Sequence, residues 1–313
     1  MAWLEITIST ESAGLDAAAT ALTAGGFSDL VIEDQAEFET FLDQNRAYWD
    51  YIDESLQEKL QGLSQIKLYL EDTDTAGMAR LQKLLEKQKL PMAVKALEET
   101  NWEESWKDNY PPQEVGEKLI VLPCWLADAD NSGRLPIILD PGLTFGTGAH
   151  ASTQMVMEFM ENCVRPGFRC LDLGSGSGIL SLAALRLGAA SAIGVDIDPK
   201  AEDIARENAA YNGFFAPEFT ALTGNVTEDT ALMEKLQQRD YDLVLVNIVA
   251  DVIIGLSPVL PAFLAENSIL LCSGILDVRL EDVKAALEKA GLEIIQIKAK
   301  EDWRSIRAKR RYV

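Results

Sequence analysis

From Phe168 onward, strand-like and helix-like segments take turns: FRCLDLG, ILSLAALRLG, AIGVDI, AEDIARENAAYNG, EFTALTG, ALMEKLQQ, YDLVLVNI, SILLCSG, LEDVKAALEKAG and LEIIQIKA. Regular alternation of this kind predicts an α/β domain built on a doubly wound parallel sheet. In such sheets ligands bind outside the carboxyl ends of the strands, so the chemistry is expected there.

The first strand of this series runs into Leu171-Asp172-Leu173-Gly174-Ser175-Gly176-Ser177-Gly178, after which a helix opens. A dinucleotide fingerprint needs a third glycine at position 179, and that residue is Ile179. A dinucleotide oxidoreductase is thereby disfavoured. The spacing present is GxGxG, and with Asp172 before it the pattern resembles the cofactor loop of seven-stranded S-adenosylmethionine-dependent methyltransferases. A plain strand-to-helix turn is the bland alternative. Gly176 is a candidate cofactor contact because a missing side chain lets a ligand lie against the loop.

The second strand ends at Gly194-Val195-Asp196, 22 residues after Gly174. A carboxylate at a strand tip can accept both ribose hydroxyls, so Asp196 is assigned to the ribose. Asp198-Pro199-Lys200 reads instead as the cap and first turn of the next helix. The buried run Tyr241–Val246 delivers Asn247 to its carboxyl end. An amide there either faces the reacting centre or caps a helix beginning at Ala250.

FGTGAHAST, residues 145–153, contains His150, the one histidine among 313 residues. Histidine titrates near neutrality, which makes His150 a candidate acid or base. Methyl transfer from a sulfonium, however, chiefly needs alignment and a neutral amine. A structural role, fixing the loop through hydrogen bonds to backbone, suits the residue equally. Met155, Val156, Met157, Phe159 and Met160 follow at helical spacing and read as core.

The first hundred residues differ in character. WLEITIST (3–10), ESAGLDAAATALTAGG (11–26) and FSDLVIED (27–34) read as strand, helix and strand. After an acidic helical stretch near DESLQEKL, a second round of strand, helix and strand runs through QIKLYLED, TAGMARLQKLLEKQKL and MAVKALEE. The order βαββαβ predicts an α+β, ferredoxin-like domain over residues 1–100. Residues 101–130 are expected to be a linker, with Trp102 and Trp106 one helical turn apart as packing residues and Pro111-Pro112 as a stop. The last strand, rich in lysine and arginine, is expected to blunt an exposed sheet edge.

Fifty acidic residues against 28 basic ones give a net charge of -22. Such a surface repels nucleic-acid phosphates and membranes and favours a cationic partner. Of this charge, -11 lies in residues 1–100, where 19 acids face 8 bases. The four cysteines show no CxxC spacing, so no metal site is expected and a reducing compartment fits. The N-terminus lacks a basic region followed by an apolar stretch, and no run is apolar enough to span a bilayer; a cytoplasmic location is expected.

The stretch Leu139-Asp140-Pro141-Gly142-Leu143-Thr144-Phe145-Gly146-Thr147-Gly148-Ala149-His150, followed in order by DLGSGSGIL, GVDIDP and NIVA, resembles the ribosomal-protein methyltransferase family PrmA. WEESWKDNY and Asp302-Trp303 fit as well. The resemblance covers the second half closely and the first hundred residues weakly. Where that family usually has Thr, Pro and Thr, this chain has Ala149, Ala151 and Ser152. The resemblance implies a seven-stranded, Rossmann-like class I methyltransferase domain over 131–313. It also implies that Thr153, Gly174, Asp196 and Asn247 contact S-adenosyl-L-methionine, with Asn247 the catalytic candidate. Methyl groups would go to lysine or N-terminal amines of a large-subunit ribosomal protein, by resemblance the eleventh, recognised through residues 1–100. Methylation of RNA or a small-molecule amine is the alternative, and a cofactor sensor without turnover is a third reading.

Overall fold

The computed structural model describes residues 3–27, 29–36, 64–97, 107, 110–141 and 148–311. DESLQEKL, Trp102, Trp106 and residues 142–147 lie outside the described residues. The chain divides into two compact units, Met1–Asn109 and Tyr110–Val313.

Within the first unit, β1 (Trp3–Ser9), α1 (Leu15–Ala24), β2 (Val31–Asp34), β3 (Ser64–Glu71), α2 (Thr75–Gln88) and β4 (Met92–Leu97) follow one another. The strands lie side by side as β2-β3-β1-β4, every neighbouring pair antiparallel. Alternation along β1 and β3 sends Ile6, Ile8, Ile66 and Leu68 to one face, where Leu15 and Leu22 of α1 and Leu81 and Leu85 of α2 cover them. Asp74 caps α2 by accepting the Gly77 N–H at 2.8 Å, and Lys89 ends it in the left-handed conformation.

The second unit starts earlier than the sequence suggests. β5 (Gln113–Val115) and β6 (Leu119–Pro123) pair antiparallel, and β6 pairs parallel with β7 (Leu135–Leu139). All five residues of β6 are buried, so this strand belongs to a core and is not a linker. The run LIVLP is too short for its periodicity to identify it.

The alternating half then builds the main sheet. Its elements are α3 (Ala151–Cys163), β8 (Arg169–Leu173), α4 (Ile179–Arg186), β9 (Ser191–Asp196), α5 (Pro199–Tyr211), β10 (Phe219–Thr223), α6 (Thr230–Gln237) and β11 (Tyr241–Asn247). α7 (Ala250–Leu256), β12 (Leu264–Leu276), α8 (Leu280–Lys289), β13 (Leu292–Lys300) and β14 (Trp303–Arg310) complete it. The order is β10-β9-β8-β11-β12-β14-β13, parallel through β12 and antiparallel at the last two strands. β11 shows why two layers of helix are needed. Leu243 and Leu245 join the core with α3, α4 and α5, whereas Val244 and Val246 join the core with α6, α7 and α8. Truncating a fully buried leucine such as Leu245 to alanine costs about 2–5 kcal/mol.

One expectation is corrected here. β14 is not an edge strand: it lies between β12 and β13, with Ser305, Ile306 and Ala308 buried. The chain reverses tightly after Lys300 and inserts, leaving β13 at the border. Two of the basic residues of β14 find anions beside it, Arg304 at Asp277 (2.8 Å) and Lys309 at Glu293 (3.4 Å). The methionine-rich stretch of α3 is core as expected, with Met155, Val156, Met157, Phe159 and Met160 all buried.

Candidate active site

Strand order reverses between β8 and β11, the place where a doubly wound sheet opens a crevice. The tips of β8, β9 and β11 border that crevice, and each carries one of the expected residues.

At the tip of β8 the backbone turns at Gly174 (φ 76°), Gly176 (φ 49°) and Gly178 (φ 81°), a region that side-chain-bearing residues rarely adopt. A Cβ on Gly174 would stand 2.3 Å from Ile248 Cγ2, so this position is closed to any side chain unless Ile248 moves. The Gly174 and Ser175 N–H groups donate to the Val195 carbonyl at 2.8 and 3.1 Å, fastening the loop to β9. Gly176 N–H donates to Asp196 Oδ2 at 2.8 Å, and Asp198 N–H donates to Asp196 Oδ1 at 3.0 Å. One amide on each oxygen fixes the carboxylate at the β9 tip and leaves further lone pairs for a ligand. Asp198 itself caps α5, accepting from Lys200 N–H at 2.9 Å, as its sequence context predicts.

Asp172, on β8 two residues before Gly174, is 1% exposed. Its Oδ2 accepts from Ser181 Oγ (2.9 Å) and Ser181 N–H (3.1 Å), whereas Oδ1 has no partner. Burial pushes its pKa up to about 7, against the lowering effect of the two Ser181 bonds; the nearby Asp196 charge raises it further. A buried acceptor without a partner costs about 1–3 kcal/mol, so Asp172 Oδ1 is suited to accept from a ligand's donor.

Asn247 stands at the β11 tip, and its Nδ2 donates to Thr153 Oγ1 on the first turn of α3 at 3.1 Å. The helix-capping alternative is excluded: Val249 occupies the cap position of α7, with no side-chain bond. Thr153 is buried, and the same turn is tied to β12 by Ser273 Oγ, which donates to the Ser152 carbonyl at 3.0 Å. Asn247 is thus bonded to Thr153, Gly176 to Asp196 and Gly174 to Val195, which places the five expected residues on α3 and at the tips of three adjacent strands.

His150 caps α3. Its Nδ1 lies 2.7 Å from Ser152 Oγ and 3.3 Å from Ser152 N, and its ring meets Trp303 edge-on at 4.5 Å between centroids. Accepting the Ser152 N–H occupies the Nδ1 lone pair and puts the proton on Nε2. Burial lowers its pKa, with a smaller opposing pull from Glu301, which favours the uncharged ring.

Three residues of this region escaped the sequence reading. In the sequence Asp172 is legible only as part of a motif. Ile197 is 74% exposed directly after Asp196, an apolar surface at the rim. Glu161, buried on α3, accepts the N–H groups of Glu117, Lys118 and Leu119 at 2.7–3.1 Å and so holds the turn between β5 and β6. A glutamate on the apolar face of a helix was the available signal. Among the described residues no group of three His, Cys, Asp or Glu side chains is placed to hold a metal ion, and no helix is long and apolar enough to cross a membrane.

A family model described as ribosomal protein L11 methyltransferase (PrmA) matches residues 2–311. A ribosomal protein L11 methyltransferase of Alkaliphilus oremlandii is 35% identical, over 99% of both chains. One from Caldanaerobacter subterraneus subsp. tengcongensis is 34% identical, over 99% of this chain and all of the other. Among solved structures, the ribosomal protein L11 methylase of Lactobacillus delbrueckii subsp. bulgaricus superposes with a TM-score of 0.57 at 28% identity, covering 65% of this chain and all of that one.

Proposed function

The chain belongs to the ribosomal protein L11 methyltransferase family, and from that premise we propose that it transfers methyl groups from S-adenosyl-L-methionine to lysine or N-terminal amines of ribosomal protein L11. The observation that carries the reading is the convergence of the Gly174–Gly178 loop, the Asp196 carboxylate and the Asn247 amide at the carboxyl ends of three neighbouring strands, in a chain matched from end to end by that family.

The residues present fit the cofactor. Asp172 offers a buried, unpartnered acceptor to an ammonium, Asp196 offers lone pairs to a ribose, and the glycine loop lacks side chains where a ligand approaches. Thr153, Gly174, Gly176, Asp196 and Asn247 would hold it, with Ile197 giving an apolar surface beside the ribose. Bound cofactor supplies a methyl group on a sulfonium, whose sulfur leaves as a neutral thioether.

The protein's task is then alignment, which is worth several orders of magnitude when the reacting atoms are held in line. Thr153 engages the donor end of the Asn247 amide and so turns its oxygen toward an incoming N–H. Accepting that N–H aims the nitrogen lone pair at the methyl carbon. The amine must arrive neutral, and lysine has a reference pKa of about 10.4, so transfer from water into the crevice is part of the catalysis. His150 holds α3 and Trp303 together and is not required as the base.

The first unit, read as a ferredoxin-like module, docks the substrate: its acidic surplus suits a basic ribosomal protein and disfavours RNA. A cytoplasmic setting follows from that substrate. The test is incubation with methyl-labelled cofactor and separated ribosomal proteins, followed by mass spectrometry. Label on amines of L11 is expected; label on RNA alone, or none, overturns the proposal.

A further inference from the structure

We propose that Asn208 is a positioning residue for methyl transfer, a single buried amide that locks the glycine loop to the carboxyl end of β7 and thereby sets the shape of the cofactor cradle. The inference rests on reading that cradle as the S-adenosylmethionine site.

Asn208 lies on α5 and is fully buried. Its Oδ1 accepts the Asp140 N–H at 2.9 Å, just beyond β7, and its Nδ2 donates to the Ser177 carbonyl at 2.9 Å, inside the glycine loop. Both ends of the amide are thus spent on backbone, and the two segments they join are 37 residues apart. The loop rests on the same helix face: a Cβ on Gly178 would meet Ala205 Cβ at 3.1 Å, and Ala205 precedes Asn208 by three residues, within one turn. On its other side the loop is held by β9, through the Val195 carbonyl and the Asp196 carboxylate. Asn208 is therefore the outer wall of a loop whose inner wall receives the ligand. Without it the bonds from Asn208 to the Ser177 carbonyl and the Asp140 N–H are lost, and the loop can relax away from Asp196.

Asn212, one turn further on, is the internal comparison. Its amide pairs with both backbone groups of Ile138, accepting the N–H at 3.0 Å and donating to the carbonyl at 2.7 Å. It also bonds the Asn208 carbonyl, and Arg186 donates to it. Its side chain makes four hydrogen bonds against the two of Asn208, but none to the glycine loop.

The test compares Asn208→Ala and Asn208→Leu with Asn212→Ala in the full chain, by calorimetry with S-adenosylmethionine and by steady-state kinetics. The Asn208 variants are expected to weaken cofactor binding by about tenfold or more, raising the cofactor KM while leaving the KM for the protein substrate unchanged. Asn212→Ala is expected to lower Tm comparably yet keep the cofactor Kd within about threefold of wild type. Equal cofactor affinity in the Asn208 variants, or parallel losses in both sets, overturns the proposal. Should the Asn208 variants fail to fold, amide hydrogen exchange in the wild type decides: the cofactor is expected to slow exchange at Asp140, and an unchanged rate there overturns the proposal. If the wild-type protein itself shows no affinity for the cofactor, it is the site reading that fails, and this inference falls with it.

Discussion

Asn247 donates its side-chain amide to Thr153 Oγ1 at 3.1 Å, a bond between residues 94 positions apart that joins the tip of β11 to the first turn of α3. It orients a group that would otherwise rotate freely, and in the proposed site the other end of the amide would accept from the incoming amine. Asn247→Ala should lower turnover by about 10²-fold with saturating cofactor, since misalignment on the ångström scale costs that much. Thr153→Val keeps the shape and removes the acceptor; a loss of about tenfold is expected. Unchanged turnover in both variants would retire the orienting role.

Asp172 predicts a pH dependence. Its pKa is raised to about 7 from 3.8, so the folded protein holds a proton that the unfolded chain releases. The stability this proton contributes is fully present below pH 3.8 and is lost as pH rises toward about 7. Cofactor binding has the opposite sign, because an ammonium needs the ionised carboxylate: affinity should fall about tenfold per unit below pH 7. Calorimetry across this range checks the slope, and Asp172→Asn should flatten it.

His150→Ala should act on stability. Loss of the α3 cap and of the Trp303 contact should cost about 1–2 kcal/mol in denaturant unfolding. The pH profile of turnover should superimpose on that of the wild type. A collapsed rate at normal cofactor affinity would instead identify the imidazole as the base.

Gly174→Ala places a methyl group 2.3 Å from Ile248 Cγ2 in a left-handed backbone, and cofactor affinity should drop together with about 1–3 kcal/mol of stability. Adding Ile248→Ala removes the clash but not the backbone strain. The double variant should therefore recover part of the loss, and a double-mutant cycle measures that part.

The second unit has its own core, so a fragment spanning Tyr110–Val313 should bind cofactor with near-native affinity. It should not methylate the protein substrate. Full transfer activity in the fragment would remove the docking role from the first unit.

What could be read from the sequence was whatever declares itself locally. The buried run of β11 places Asn247 at its end, the glycines announce a turn before α4, and Asp198-Pro199 marks a helix start; each depends on neighbours within a few residues. Asn208 and Asn212 illustrate the opposite case. In ENAAYNG they look like the solvated side of an amphipathic helix, and only the arrival of β7 turns them into buried backbone partners. Glu161 is hidden for the same reason, since its three N–H donors come from a turn more than forty residues earlier. The place of β14 is not legible locally, because hairpin insertion depends on which strand leaves a gap, and composition says only that a lysine- and arginine-rich strand tolerates water.

That insertion bears on how the sheet is assembled. β14 follows every other described element yet supplies hydrogen bonds to two earlier strands, so β12 and β13 are joined in the sheet only through it. A deletion after Lys300 would therefore remove a keystone, exposing the hydrogen-bonding borders of two strands to other chains and turning a small truncation into an invitation to aggregate.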